Sequence, residues 1–391
     1  MDLLTQLSIS LWTSCRYLLQ FLPLSITPMP LLMQPRFCAT VKYRLSVKAR
    51  YSIFWALSFN VLLLCFVGCV QHSAEQGGIP AGNKYATGFQ ITETDSGTVV
   101  EVFQPYQRLC VAQPYRRLAT MSTVQVGFLY AINATDAVAA VCNPELIYTP
   151  MRGDEVDLGD SMKPSAERAL QAGIDLLLAV NYGQYDNLEA ARLEKLGLRT
   201  IYINEWLEAS PLARAEWIRV LGALTGHLHE ADSVFAEVEC QYQRLTTKDK
   251  RPTAIMSGNN FRGTWYVPSG KNYLAYLFRD AGAQYPFYDD MRETSIPLTV
   301  EETLRYFSEA DVWVGASANS MAELAQMDEK HTWFKAYKNG RVYNWRKQYK
   351  NGGANNFWER GVVHPEEMLE DVIHILDNAP DSVLHFANRL Y

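Results

Sequence analysis

One helical stripe governs what this chain can become. Leu228, Ala231, Phe235, Val238, Tyr242 and Leu245 recur at steps of three and four residues, which lines a single face of an α-helix with apolar side chains. The pattern predicts a helix over 228–248, roughly 30 Å long at ~1.5 Å per residue, enough to cross a whole domain. On both sides of it, short apolar runs alternate with segments of helical spacing, the pattern of βαβ units. Before the helix, Leu118–Met121 leads into Ser122-Thr123, residues that cap helix N-termini, and a helix over Val124–Ala131. A strand follows at Asp136–Val141, a helix at Pro164–Ala172, and a strand at Ile174–Val180 apolar enough to be covered on both faces. The helix Asn187–Leu196 stops at Gly197, a C-cap signal, before the strand Arg199–Ile203. After the long helix come strands at Thr253–Ser257, Asp311–Val314 and Arg341–Tyr343, and helices at Asn272–Ala281, Val300–Phe307, Met321–Met327 and Pro365–Leu376. The layout is lobe, rod, lobe, with boundaries at 98–226, 227–250 and 251–391.

The first 69 residues are a different material. Lys42, Arg44, Lys48 and Arg50 precede an uncharged run from Ile53 to Val67, a basic segment feeding an apolar segment of signal-peptide length. The run ends at Phe66-Val67-Gly68-Cys69 and turns polar at once. That junction resembles a bacterial lipobox, in which a small residue precedes a cysteine lipidated after cleavage. Fifteen apolar residues fall short of the ~20 that span a hydrocarbon core, so removal is favoured over a plain transmembrane anchor. Residues 1–41 have no role in either picture. A start site set too far upstream explains them most simply, with an apolar membrane segment near Tyr17–Leu32 as the alternative. The stretch 70–97 is expected to be a tether, its Gly- and Ser-containing part Gln71–Asn83 being flexible.

Removing the six basic residues and one acid of 1–69 leaves 30 basic and 41 acidic residues, a net charge of −11. Such a body does not grip phosphate backbones, which need clustered Lys and Arg, so nucleic acid is excluded as a partner. Four of the seven cysteines fall in the leader; Cys110, Cys142 and Cys240 are too scattered for a disulfide framework or a CxxC metal site.

Several segments carry a family resemblance in order: Arg117-Leu-Ala-Thr-Met-Ser122, Ala172-Gly-Ile-Asp-Leu-Leu-Leu-Ala179, Leu193-Glu-Lys-Leu-Gly-Leu-Arg-Thr-Ile-Tyr202, Gly263-Thr-Trp-Tyr-Val-Pro-Ser-Gly270 and Lys338-Asn-Gly-Arg-Val-Tyr343. Over residues 98–378 the chain resembles the substrate-binding lipoproteins of ABC importers for iron-siderophores, haem and cobalamin. The resemblance implies an α/β fold of two Rossmann-like lobes joined by a single long α-helix, a periplasmic monomer anchored by lipid at Cys69, and delivery of a metal chelate to the membrane subunits of a permease. It also implies docking through one exposed Glu on each lobe, matching Glu167 and Glu302, with Glu301 as a competitor for the second role. Because no hinge strands join the lobes, closure around ligand is expected to be a small rocking motion.

Ligands of open α/β folds lie beyond the C-terminal ends of strands, and here those positions are rich in rings. Tyr182 and Tyr185 follow one strand; Arg262, Trp265 and Tyr266 follow another; Trp345, Arg346, Phe357, Trp358 and Arg360 follow a third. Rings stacked on a flat ligand gain ~0.5–1.5 kcal/mol per contact beyond area burial, and arginines pair with ligand carboxylates. A cobalamin, a haem and a ferric siderophore all fit that description. No cofactor beyond the cargo is expected. No two histidines are expected to converge with a carboxylate on one metal site, so bare metal-ion binding is the lesser alternative; His364 is read as a surface or N-cap-adjacent histidine, with an axial haem ligand as its other reading. A tetrapyrrole chelatase has comparable lobes, but no paired carboxylates, nucleophile elbow or phosphate loop is visible, and the chain is read as a carrier rather than an enzyme.

Overall fold

The computed structural model describes residues 79–181, 188–247 and 249–391. An antiparallel meander comes first: β1 (Phe89–Thr94), β2 (Gly97–Phe103) and β3 (Tyr106–Val111), with Phe89 opposite Val102 and Phe103 opposite Tyr106. β1 falls inside 70–97, the stretch expected to be a tether, and from Asn83 onward the chain is instead strapped down. The buried Glu216 carboxylate accepts the backbone N–H groups of Lys84, Tyr85 and Ala86 at 2.7, 2.8 and 2.7 Å. Glu208, also buried, accepts those of Thr87 and Gly88 at 2.9 and 2.8 Å and the Trp217 indole at 3.2 Å. Two carboxylates thus take the place of a sheet partner for five consecutive N–H groups.

The first lobe comprises β4 (Leu118–Thr120), α1 (Thr123–Ala131), β5 (Val138–Val141), β6 (Val156–Asp157), α2 (Ala166–Gln171), β7 (Leu176–Ala179), α3 (Leu188–Lys195), β8 (Thr200–Tyr202), α4 (Pro211–Glu216) and α5 (Ile218–Thr225). Its sheet is parallel throughout, in the order β6-β5-β4-β7-β8. Every residue of β5 and β7 is buried, as a parallel sheet covered on both faces requires. α1 starts with a reciprocal cap in which Ser122 Oγ accepts from Val124 N while Gln125 Oε1 accepts from Met121 N and Ser122 N. The Gln107 side chain moors the meander to the sheet edge, accepting from Tyr202 N at 2.9 Å and donating to Thr200 O at 3.2 Å.

The long helix, α6 (Leu228–Leu245), is unbroken over 18 residues and buries Ala231, Phe235, Val238 and Tyr242, the middle of the predicted stripe. Gly222 of α5 allows the two helices to touch: a Cβ there would lie 2.6 Å from the Ala231 Cβ. No helix among the described residues is long and apolar enough to cross a membrane.

The second lobe contains β9 (Ile255–Ser257), β10 (Asn259–Phe261), β11 (Thr264–Val267), α7 (Tyr273–Asp280), β12 (Ile296–Leu298), α8 (Val300–Phe307), β13 (Val312–Val314), α9 (Met321–Met327), α10 (Lys335–Lys338), β14 (Val342–Asn344), α11 (Asn356–Val363), α12 (Pro365–Leu376) and β15 (Asn388–Arg389). β9, β13 and β14 are parallel neighbours, β15 closes the edge antiparallel to β14, and β10, β11 and β12 form a separate antiparallel sheet. One apolar core runs through both lobes, taking in Phe128 and Leu129 of α1, Phe235 of α6, Phe357 of α11 and Leu369 of α12. A second core covers the other face of the first sheet.

The strap offers a direct test. Replacing Glu216 by Ala leaves three backbone N–H groups without their acceptor, and losing one side of a buried charged arrangement costs about 3–5 kcal/mol. Urea denaturation of Glu216→Ala should register a loss of that order, and limited proteolysis should cut first within 79–88.

Candidate functional site

The loops beyond the strand ends of the second lobe are tied to one another by side-chain amides. Asn259 donates to Gly315 O at 2.8 Å and accepts from Ser317 N at 2.8 Å. Asn344 donates to Ala318 O at 2.9 Å and accepts from Arg346 N at 3.1 Å, and the Arg346 guanidinium reaches Asn319 Oδ1 at 2.8 Å. The hairpin after β9, the loop after β13 and the loop after β14 therefore form one braced surface. Its turn, Arg262-Gly263, has φ of +52° and +88°, the two left-handed residues of a tight hairpin turn. This leaves Phe261 62% exposed with the Arg262 guanidinium 5.2 Å from its ring centroid.

Of the ring and arginine positions expected to meet ligand, Arg262, Tyr266, Arg346 and Trp358 reach the surface, Tyr266 and Trp358 being 46% and 48% exposed. Arg346 lies 5.4 Å from the centroid of exposed Tyr349. Trp265 and Phe357 are corrections. Strand alternation turns Trp265 and Tyr266 to opposite faces, and the inward one, 2% exposed, packs on Trp313 and Phe334 at 5.1 and 5.4 Å while its indole donates to Ser257 O. Phe357 is fully buried, stacked on Trp345 at 4.6 Å and 9°. That stacking takes one face of Trp345, itself buried. Arg360 is committed to Glu367, with Nε 2.9 Å from Oε2. Tyr182, Tyr185 and Cys69 lie outside the described residues.

Glu167 is exposed in the first turn of α2. Glu302 closes a capping box on α8, its Oε2 accepting from Thr299 N and Oγ1 at 2.9 and 3.0 Å, and these bonds hold its carboxyl below the usual range. Glu301 beside it is exposed. Against the expectation that no two histidines converge with a carboxylate, His374 and His385 both approach Glu370, at 3.5 and 2.9 Å. His364 is the N-cap residue of α12, with its Nδ1 2.9 Å from Glu366 Oε1.

The lobes meet where α1 packs on α11. Gly127 permits the approach, since a Cβ there would fall 2.9 Å from Glu359 O. The Glu359 carboxylate, fully buried, accepts the N–H groups of Tyr148 and Thr149 across the interface at 2.7 and 2.8 Å; burial raises its pKa against those bonds. Lys350 donates to Tyr148 O and lies 4.4 Å from the Tyr148 ring centroid. A cavity of about 230 Å³ borders this junction, lined by Tyr130, Tyr148, Asn356, Arg360 and His364 among others. Arg214 of α4 is half-buried, with its guanidinium 4.1 Å over the Tyr273 ring of α7, and donates to Trp206 O and Glu208 O at 2.7 and 2.9 Å. Sequence reasoning missed Glu359, Glu216 and Arg214. A signal existed for two of them: Glu359 shares its helical face with Val362 and Val363, and Glu216 with Leu212 and Val220, so each is an acid on an apolar stripe.

Glu205 is buried, and burial pushes its carboxyl up to about 7, against the pull of Arg214. The native state then holds a proton that the unfolded chain releases near pH 4.5, so stability falls as pH rises through that window. The expected total is about 3 kcal/mol. Glu205→Gln removes this contribution, and parallel denaturation curves of the two proteins between pH 5 and 8 should show the variant gaining on the parent as pH rises.

Residues 118–349, the greater part of both lobes and the whole of α6, match the periplasmic binding protein family. An uncharacterized lipoprotein of Methanocaldococcus jannaschii is 24% identical over 280 residues, covering 67% of this chain and 65% of the relative. The chain thus spans just under two thirds of the curated relative it matches. Among solved structures, a periplasmic binding protein from Veillonella parvula superimposes with a TM-score of 0.54 at 13% identity, covering 74% of this chain and 97% of the other. The triscatecholate siderophore binding protein FeuA from Bacillus subtilis, complexed with ferri-bacillibactin, gives 0.53 at 14%, covering 72% and 98%. These likenesses concern the fold: two α/β lobes on one helix. With the family match extending over more than half of its length, the chain belongs to the periplasmic binding protein family.

Proposed function

We propose that this protein is the substrate-binding component of an ABC importer, capturing a metal chelate outside the cytoplasmic membrane and handing it to the permease. The observation that carries this reading is the braced surface at the strand ends of the second lobe, where Phe261, Tyr266 and Tyr349 stand exposed beside Arg262 and Arg346. Exposed rings of that size are costly to leave in water and gain from stacking on a flat ligand, and the guanidinium groups suit carboxylate or catecholate oxygens. A ferric siderophore, a haem and a cobalamin remain the candidate cargoes. The siderophore held by FeuA supports the first. The lipoprotein description of the archaeal relative supports a lipid anchor at Cys69 and a periplasmic location, and the protein acts as a monomer.

Titrating the full chain with ferric catecholate, haem and cobalamin, followed by their absorption bands, should identify one tight, stoichiometric ligand; failure of all three would remove this reading. Against that ligand, Tyr266→Ala and Arg346→Ala should each weaken binding about 2- to 13-fold, the equivalent of ~0.5–1.5 kcal/mol, whereas Trp265→Ala should lower stability first.

Glu167 and the Glu301–Glu302 pair are proposed to meet arginines of the permease, one acid on each lobe. Charge reversal at Glu167 and Glu301 together should abolish uptake in whole cells while leaving ligand affinity within twofold. Undiminished uptake would refute the docking assignment and leave the cargo assignment standing.

A further inference from the structure

His364, Glu366 and Glu367 open α12 and place one ligand atom each within 4.8 Å of the others. Acidic residues in a first helical turn are ordinary, because they complement the helix dipole. Glu366 is different. It is 5% exposed, its Oε1 lies 2.9 Å from His364 Nδ1, and its Oε2 is buried without a hydrogen-bond partner. A buried carboxylate oxygen left unpartnered is expensive, and a cation bound between these side chains would satisfy it. There is also room for further ligands, since His364 borders the cavity of about 230 Å³.

We propose that His364, Glu366 and Glu367 form a site for one divalent cation of the zinc class, apart from the surface assigned to the cargo. One imidazole and two carboxylates are a donor set suited to a borderline metal, and Zn²⁺ sites with three protein ligands complete their tetrahedron with water, which the cavity supplies. Tetrahedral metal–ligand distances of ~2.0–2.2 Å place ligand atoms ~3.4 Å apart, so atoms lying up to 4.8 Å apart would close by at most about 1.4 Å. Arg360 opposes the metal. Its guanidinium is paired with both Glu367 oxygens, so a bound cation shares or displaces that contact. The arrangement couples metal occupancy to α11, the helix that carries Glu359 and meets the first lobe. The inference does not depend on the identity of the cargo.

The test is a titration of the metal-free full chain with Zn²⁺ in competition with a chromophoric chelator. One equivalent should bind, and His364→Ala and the isosteric Glu366→Gln should each weaken it at least tenfold. Arg360→Gln should strengthen it several-fold, an effect a merely structural role for the arginine would not produce. The double change His374→Ala/His385→Ala should leave affinity unaltered, and Co²⁺ in place of Zn²⁺ should give a visible spectrum without a thiolate charge-transfer band. Melting curves of the metal-free variants establish that each folds, and Glu366→Gln carries the test if His364→Ala does not. The proposal is overturned if no stoichiometric Zn²⁺ binds, if Glu366→Gln binds as tightly as the parent, if Arg360→Gln weakens binding, if loss of His374 and His385 removes it, or if the Co²⁺ spectrum shows thiolate ligation.

Discussion

The architecture depends on a core that does not stop at the boundary between lobes. Ala231, Phe235, Val238 and Tyr242 of α6 are buried in the same apolar cluster as Phe128 of α1 and Phe357 of α11. Each large side chain withdrawn from water contributes about 1.5–3 kcal/mol, so the long helix is a structural partner of both lobes over most of its length. A linker that merely spanned the gap would show no such stripe. The 18 residues of α6 extend about 27 Å, and the apolar face stays on one side throughout because its residues recur at steps of three and four.

Buried carboxylates do the joining that strands do elsewhere. Glu216 and Glu208 bind the segment 84–88 through five backbone N–H groups, and Glu239 of α6 adds contacts to Lys84 and Tyr85. Ala86 and Phe89 are consequently fully buried. The chain therefore enters the folded body fastened to α4 and to α6. Glu359 repeats the device between lobes, spending both oxygens on Tyr148 and Thr149. These acids could not be replaced by apolar residues without orphaning the backbone groups they satisfy.

What could be read in the sequence was local and periodic. The stripe of α6, the apolar run Ile174–Val180 and the cap at Ser122 depend on neighbours within a few residues; the structure has the stripe and the cap where the pattern puts them, and a strand over Leu176–Ala179 within that run. The site was less legible. Alternation says that Trp265 and Tyr266 face opposite ways, but which of them faces inward is decided by Trp313 and Phe334, nearly fifty and seventy residues away. Phe357 and Trp345 are twelve residues apart in sequence and stack on each other, a pairing created by the turn of chain between β14 and α11. The tether expected over 70–97 extends the Gly- and Ser-containing composition of Gln71–Asn83 into β1, whose Thr92, Glu93 and Thr94 are exposed; the order of that segment comes from Glu216 and Glu208, more than a hundred residues further on.

The same interface limits how the protein can respond to cargo. Swinging the second lobe away from α1 would strip Glu359 of two hydrogen bonds while the packing at Gly127 opened, and bonds to a buried charged acceptor are worth about 1.5–3 kcal/mol each. Wide opening is therefore opposed by several kcal/mol before any apolar area is counted, whereas the hairpin turn at Arg262-Gly263 and the loop after β14 can adjust with the cores intact. Discrimination between loaded and empty forms is expected in those loops and in a few degrees of rocking about α6. If a permease meets one acid on each lobe, as proposed, that rocking would reach it as a change in the spacing of the two acids.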